Sequence, residues 1–131
     1  MATIVKSNFL YAQKENDVVM VGFADDEFDT KEYVLLQRSI VYDDQDKILG
    51  LDKVYIECND QSHSVYGGIV RFVLSNGIAE IWIDSNAANM LGTDEKIKIV
   101  FPVNYNDLAD VEELLREIFN NQHEVFVSKI K

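Results

Sequence analysis

The sequence predicts an α+β fold: a mainly antiparallel β-sheet, one long C-terminal amphipathic helix packed on one face, and a short helix after the central hairpin. Three patterns carry this expectation. Most of the chain is built of short apolar or alternating runs divided by polar turns, which is the signature of strands. No helical spacing recurs between those runs, so crossover helices and a wholly parallel sheet are not expected. Near the end, Leu108, Val111, Leu114, Leu115, Ile118 and Phe119 form one stripe at helical spacing.

Taken in order, Val5, Phe9 and Tyr11 fall on one side of an extended segment from Ile4 to Ala12, with Lys6 and Asn8 on the other. This predicts a first strand. Lys14 to Asp17 is polar and turn-like, and Val18 to Phe23 is almost continuously apolar, as in a strand covered on both faces. The two make a hairpin whose exit is an acidic loop, Asp25-Asp26-Glu27-Phe28-Asp29. Phe28 there either anchors the loop to the core or offers an aromatic contact to a partner. Tyr33 to Arg38 is rich in β-formers and predicts a third strand. A second acidic loop, Asp43-Asp44-Gln45-Asp46, follows, with Gly50 marking its end.

Val54, Ile56 and Cys58 alternate with Tyr55, Glu57 and Asn59, predicting a half-buried strand with Tyr55 and Glu57 on the face away from the core. Asn59 to Ser64 is polar and reads as a loop, and a strand is expected from Val65 to Leu74. Gly67 and Gly68 inside that strand imply a bulge or the close approach of another backbone. Ser75-Asn76-Gly77 is a tight-turn signature, because Asn-Gly tolerates the positive φ of a two-residue hairpin. From Ile78 to Ile83 either face suits the core, Ala79, Ile81 and Ile83 on one and Ile78, Glu80 and Trp82 on the other.

Asp84 or Ser85 caps a short helix through Ala87, Ala88, Met90 and Leu91, and Gly92 ends it. Lys96 to Val103 alternates, with Ile97, Ile99, Phe101 and Val103 on one face, and Pro102 suits the strand's end. Asp107 is the expected cap of the long helix. Glu112 and Glu113 suit its N-terminal half, Glu112 and Arg116 form an i,i+4 pair, and Asn120-Asn121 closes it. Burial of the six apolar residues on its stripe contributes on the order of 10 kcal/mol before entropy is subtracted, so the stripe must pack against the sheet. Glu124 to Ser128 adds a short terminal strand.

At 131 residues the chain has the size of one domain, residues 1–131, and no repeat or linker interrupts it. A composition of 47% hydrophobic and 27% charged residues with one proline excludes a disordered or fibrous chain. The single cysteine, Cys58, has no disulfide partner and reads as a small buried hydrophobe in a reducing compartment. The N-terminus has no signal-like apolar region, and no apolar run reaches about 18 residues; a cytoplasmic protein is expected. Twelve basic against 23 acidic residues give a formal charge of −11. That charge disfavours nucleic acid and anionic membrane, and favours a cationic partner or simply solubility.

No nucleotide-binding, nucleophile-elbow or zinc-ligand motif occurs, and no cofactor is expected. The acidic loops lack the central glycine and distal glutamate of a calcium loop. His63 and His123 have no cysteine or histidine at ligand spacing. Glu57, Asp60 and His63 are the best acid-base set available, and with Gln61 and Tyr66 they would serve a small-molecule or carbohydrate site. No nucleophile or oxyanion donor accompanies them.

Leu36-Gln37-Arg38-Ser39, Asp43-Asp44-Gln45-Asp46, Leu49-Gly50-Leu51-Asp52, Tyr55-Ile56-Glu57, Asp60-Gln61 and Tyr66-Gly67-Gly68-Ile69, in this order, resemble the immunity protein 10 family of bacterial polymorphic toxin systems. The resemblance continues through Trp82, the Met90-Leu91-Gly92 turn and the long helix. It implies an α+β cytoplasmic protein that neutralises a cognate toxin domain by binding it, without catalysis; it does not supply contact residues. An acidic immunity protein suits a basic toxin, since opposite charge speeds association. The expected contact residues are Asp25, Asp26, Glu27, Phe28, Asp43, Asp44 and Asp46, helped by Tyr55 and Glu57. Asp60, Gln61, Tyr66, Gly67 and Gly68 are expected to be structural, and the Asp-Gln pairs to hold loops through backbone hydrogen bonds or to take part in recognition.

Overall fold

The computed structural model describes residues 2–40, 44–45, 53–120, 122 and 124–130. The expectations placed on Asp43, Asp46, Leu49, Gly50, Leu51, Asp52, Asn121 and His123 lie outside the described residues. Ten strands are described: β1 (Thr3–Lys6), β2 (Phe9–Glu15), β3 (Val18–Ala24), β4 (Tyr33–Ser39), β5 (Tyr55–Cys58), β6 (Asp60–Tyr66), β7 (Ile69–Ser75), β8 (Ile78–Ile83), β9 (Lys96–Val100) and β10 (Phe126–Ser128). Two longer helices accompany them, α1 (Ser85–Leu91) and α2 (Tyr105–Ile118). The class is α+β with mostly antiparallel pairing, as expected.

The strands form two five-stranded sheets rather than one. The first runs β1-β9-β8-β7-β10 and the second β2-β3-β4-β5-β6. Two pairings are parallel, β1 with β9 and β10 with β7. These join segments far apart in sequence, which is why local patterns do not reveal them. The inner faces share one core with α2, in which Phe23 of β3 lies 6.5 Å from Phe72 of β7 and 5.8 Å from Phe101, ring centre to ring centre. Leu108, Val111, Leu115, Ile118 and Phe119 of the helical stripe are buried, with Leu114 partly so. The helix packs on β2, β3, β4 and β10.

Several boundaries differ from the sequence reading, each for a physical reason. The expected first strand is split at Ser7-Asn8, so that β1 enters the first sheet and β2 the second. Buried Ser7 makes the corner by donating its hydroxyl to the Phe9 and Ala24 carbonyls at 3.0 and 3.1 Å. Val5 therefore faces the core while Tyr11 faces outward. The β2–β3 hairpin forms as expected, closed by Asn16 and Asp17 at positive φ (51° and 66°). Val18 to Phe23 is not covered on both faces: Val19, Val21 and Phe23 are fully buried, but Val18 and Met20 are only partly covered.

In the polar run expected to be a loop, Asn59 to Ser64, only Asn59 turns, at φ 66°, and Asp60 to Ser64 is most of strand β6. Its partner β5 supplies a ladder that polarity does not report. The single strand expected from Val65 to Leu74 breaks at Gly67-Gly68, where the chain passes from the second sheet to the first. Both glycines have φ near 90°, and a Cβ on Gly68 would sit 2.6 Å from that of Ala87 in α1. The close approach there is made by the Ala87 and Asp84 side chains at the start of α1 rather than by another backbone.

In β8 the core face is Ala79, Ile81 and Ile83, which turns Trp82 outward. Asp84 caps α1, accepting from the Ala87 amide at 2.8 Å, and Gly92 closes the helix at φ 70°. Strand β9 stops at Val100, short of Val103. Asp107 is not the cap of α2; Asn104 is, because the helix begins at Tyr105 and the Asn104 side chain accepts from the amides of Asn106 and Asp107. Arg38 Nη1 donates to the Ile118 carbonyl at 3.0 Å and so tethers the C-terminal end of α2 to β4.

Candidate functional site

The outer face of the second sheet is open among the described residues. The pairing register fixes which side chains it presents: Tyr11, Gln13 and Glu15 from β2, Val18 and Met20 from β3, Tyr33, Leu35 and Gln37 from β4, Tyr55 and Glu57 from β5, and Ser64 and Tyr66 from β6. Strand alternation thus gathers four tyrosines from four strands on one surface. Tyrosine contributes large contact area with little side-chain entropy and keeps a polar tip, which makes it a favoured interface residue.

Glu57 organises this surface. It is only 7% exposed, and each carboxylate oxygen accepts a phenolic hydroxyl, Oε2 from Tyr33 and Oε1 from Tyr55. Burial, and after it the hydrogen bond to Glu57, holds the Tyr33 phenol well above its ordinary range. The Tyr55 phenol is raised by the same causes in the same order. Both phenols are therefore held as donors to the one Glu57 side chain. The Tyr55 and Tyr66 rings lie 5.1 Å apart at 56°. This spacing fits their place as a non-hydrogen-bonded cross-strand pair.

The acidic loop from Asp25 to Glu32 joins β3 to β4 at one end of this face. Asp25 Oδ1 accepts from the amides of Lys31 and Glu32, and Asp26 Oδ1 from those of Phe28 and Asp29. These backbone donors, Lys31 foremost for Asp25 and Phe28 foremost for Asp26, lower both carboxyl pKa values. Asp25 and Asp26 thus shape the loop, while Glu27, Phe28 and Asp29 stand at its tip. Phe28 is 92% exposed and does not anchor the loop to the core. The β5–β6 turn lies alongside: Asn59 Oδ1 accepts from the Tyr33 amide at 2.7 Å, and the Asn59 amide donates back to the Tyr33 carbonyl at 3.1 Å. Asp60 joins this end, its Oδ1 accepting from the Ser62 amide, and Gln61 is exposed beside it.

Of the second acidic loop Asp44 and Gln45 are described; both are exposed and follow the end of β4 opposite to the Asp25–Glu32 loop, β4 being a strand of seven residues and so roughly 20 Å long. Glu57, Asp60 and His63 do not converge. Glu57 faces outward, whereas His63 alternates onto the opposite side of β6, with its ring about 3.8 Å from the position of a Cβ on Gly92. A cleft of about 380 Å³ lies elsewhere, between Arg38, Lys53, Gly67, Gly68 and the end of α2. No group of three or more His, Cys, Asp or Glu among the described residues is placed to hold a metal ion.

Charge is segregated between the sheets. On the outer face of the first sheet, Lys6, Arg71, Lys96 and Lys98, with Lys129 just beyond β10, surround the single carboxylate Glu80. Lys96 pairs with Glu80 at 2.8 Å and lies 4.9 Å from the centre of the Trp82 ring. The net charge of −11 must therefore be borne away from this face: one acidic region is the end formed by Asp25, Asp26, Glu27, Asp29, Glu32 and Asp60, and another is α2 with Asp107, Asp110, Glu112, Glu113 and Glu117.

Sequence reading placed Tyr55 and Glu57 on the outward side of their strand, as the register does. It did not single out Tyr11 and Tyr33, whose place on this face, Tyr33 against Glu57, is set by long-range register. The only local trace was their alternation with core residues.

An acidic α+β domain with a tyrosine-lined, open sheet face carries the features of a protein-recognition module. The particular family is shown by comparison: the model of the immunity protein 10 family matches residues 5–109, and the chain belongs to that family. It is an immunity protein of the polymorphic toxin type. No curated protein gives a significant match. No helix among the described residues is long and apolar enough to cross a membrane.

Proposed function

We propose that this chain neutralises a cognate toxin domain by binding it directly, without catalysis, through the tyrosine face of the second sheet and the acidic end beside it. The observation that carries the reading is Glu57 locking Tyr33 and Tyr55 in place on an open surface. Side chains ordered before binding lose less entropy in the complex. The partner is a basic toxin domain, in keeping with the acidic end, while the basic face of the first sheet orients the molecule so that the acidic end leads the encounter. Neither nucleic acid nor membrane suits the tyrosine face and the acidic end, and the cytoplasm, where a toxin would act, is the proposed compartment.

Charge reversal of Glu27, Asp29 and Asp44 together with Phe28→Ser tests the loops. The fold is expected to persist, since these side chains are exposed. Association with the toxin domain should slow by about 10- to 100-fold at low salt and lose most of its salt dependence. Unchanged neutralisation with unchanged salt dependence would remove the loops from the interface. Tyr55→Ala and Tyr66→Ala then report on the sheet face by itself.

A further inference from the structure

On the open face of the second sheet the outward side chains of β2 form a continuous wall. The Tyr11 hydroxyl donates to Gln13 Oε1, and Gln13 Nε2 donates to Glu15 Oε2 at 2.6 Å. These residues alternate with Leu10, Ala12 and Lys14 on the other side of the strand, so their polar tips stand in line along it. The chain of bonds ends on the Glu15 carboxylate, whose Oε1 has no hydrogen-bond partner among the described residues.

Beside the wall lies an apolar floor. Register sets Val18 next to Glu15, Met20 next to Gln13, and Gln37 of β4 next to Met20. Together these side chains line an open groove of about 390 Å³ that reaches from Tyr11 to Glu15. Val18 and Met20 are only partly covered, so apolar surface is left to water beside a carboxylate. No outward position of β2, β3 or β4 carries a lysine or arginine. Lys14 is turned to the other side of β2, where it pairs with Glu117 at 2.7 Å, and Lys53 lies beside Gly67 ahead of β5. Asp17, in the hairpin turn, adds a second carboxylate at the Glu15 end.

We propose that this groove receives one long basic side chain of the toxin domain, its stem lying along Val18 and Met20 and its charged head meeting Glu15. The inference rests on the toxin-binding reading above and names what that surface recognises. Arginine and lysine lay their stems on apolar surface while the head keeps its charge partner, and the flexible Met20 thioether adapts to such a stem. An apolar occupant would instead leave Glu15 desolvated without a partner, which selects against it. In water a pair of this kind is weak; closure of the complex over the groove removes that water and strengthens it. Glu15 thus sets specificity at short range and acts on dissociation, whereas the acidic end acts at long range on association.

The test uses the full chain and the purified toxin domain encoded by the neighbouring gene. Glu15→Gln keeps an acceptor for Gln13 and removes the charge. It should leave the urea midpoint unchanged, because Glu15 is exposed, and lower affinity about 10- to 100-fold, mainly through faster dissociation. Met20→Lys places a competing cation in the groove and should weaken binding to a similar degree. Each lysine and arginine of the toxin domain is then changed to alanine in turn and combined with Glu15→Gln; one of them should couple to it by about tenfold or more. Wild-type affinity for Glu15→Gln, or a scan in which no toxin cation couples to it, overturns the groove and leaves toxin binding standing. Failure of the wild-type chain to bind the toxin domain overturns toxin binding itself. Self-association of the free chain that Glu15→Gln abolishes assigns the groove to a second copy and also overturns the proposal.

Discussion

Replacing Glu57 by alanine should cost more than any other single change on the open sheet face. Its two oxygens accept the hydroxyls of Tyr33 and Tyr55, and hydrogen bonds to an ionised acceptor are worth about 1.5 to 3 kcal/mol each. The tyrosines are only half-buried, so water partly replaces the lost acceptor and the lower end of that range applies to each bond. We expect a loss of about 3 kcal/mol, equivalent to roughly 10 °C in Tm for a domain of this size. Glu57→Gln keeps one acceptor and can donate to the other phenol, and should cost about 1 kcal/mol. Urea titration followed by tryptophan fluorescence and circular dichroism measures both.

A double-mutant cycle sharpens the test. Tyr33→Phe and Tyr55→Phe should each cost about 1 kcal/mol. Together they should cost more than their sum, because the second change leaves a carboxylate that is 7% exposed without either phenol. Glu57→Ala within about 0.5 kcal/mol of wild type, or a cycle without coupling, would refute the claim that Glu57 orders the face.

Three further outcomes follow from the same geometry. Gly68→Ala should cost more than 2 kcal/mol or prevent folding, since its φ is 90° and a Cβ would meet Ala87 at 2.6 Å. Gly67→Ala meets only the flexible Lys53 side chain at 3.0 Å and should be milder, so equal urea midpoints for the two would contradict this account. Asn104→Ala should destabilise by about 1 kcal/mol and Asp107→Ala by less, because Asn104 supplies the cap and Asp107 only a first-turn charge; the reverse order in thermal melts would place the helix start incorrectly. The raised Tyr33 and Tyr55 pKa values contribute stability that is fully present below the ordinary tyrosine pKa near 10 and lost as pH rises through the folded values. Alkaline titration should therefore show stability falling above about pH 10 in the wild type, and less steeply in Tyr33→Phe.

Local pattern determined a large part of this protein. The stripe from Leu108 to Phe119 specified the long helix and its buried face, because a 3.6-residue period has one interpretation at that length. Alternation at Val54 to Glu57 specified which side chains of β5 turn inward, and the burial of Cys58, whose thiol burial pushes up to about 12, followed from the same alternation. The Asp43–Asp46 and Tyr66–Ile69 blocks carried the family resemblance, which the match over residues 5–109 supports.

Tertiary structure decided what depends on partners distant in sequence. Ser7 and Gly67-Gly68 become crossings between sheets because the backbone must turn where two layers meet, and a polar or glycine-rich residue reports a bend without saying where it leads. Asp60 to Ser64 becomes strand because β5 offers a ladder, which outweighs its low apolar content. β4 runs from the Asp25–Glu32 loop toward the segment that holds Asp44, a spacing invisible in a charge pattern. Glu57 acquires its role only when register brings Tyr33 across from β4. Sequence alone thus determined the long helix, the short capped helix, most of the strands, the inward side of β5 and the family. The tyrosine face and the acidic end beside it arise from long-range strand pairing, which is set by the energy of the whole assembled core and not by any local stretch.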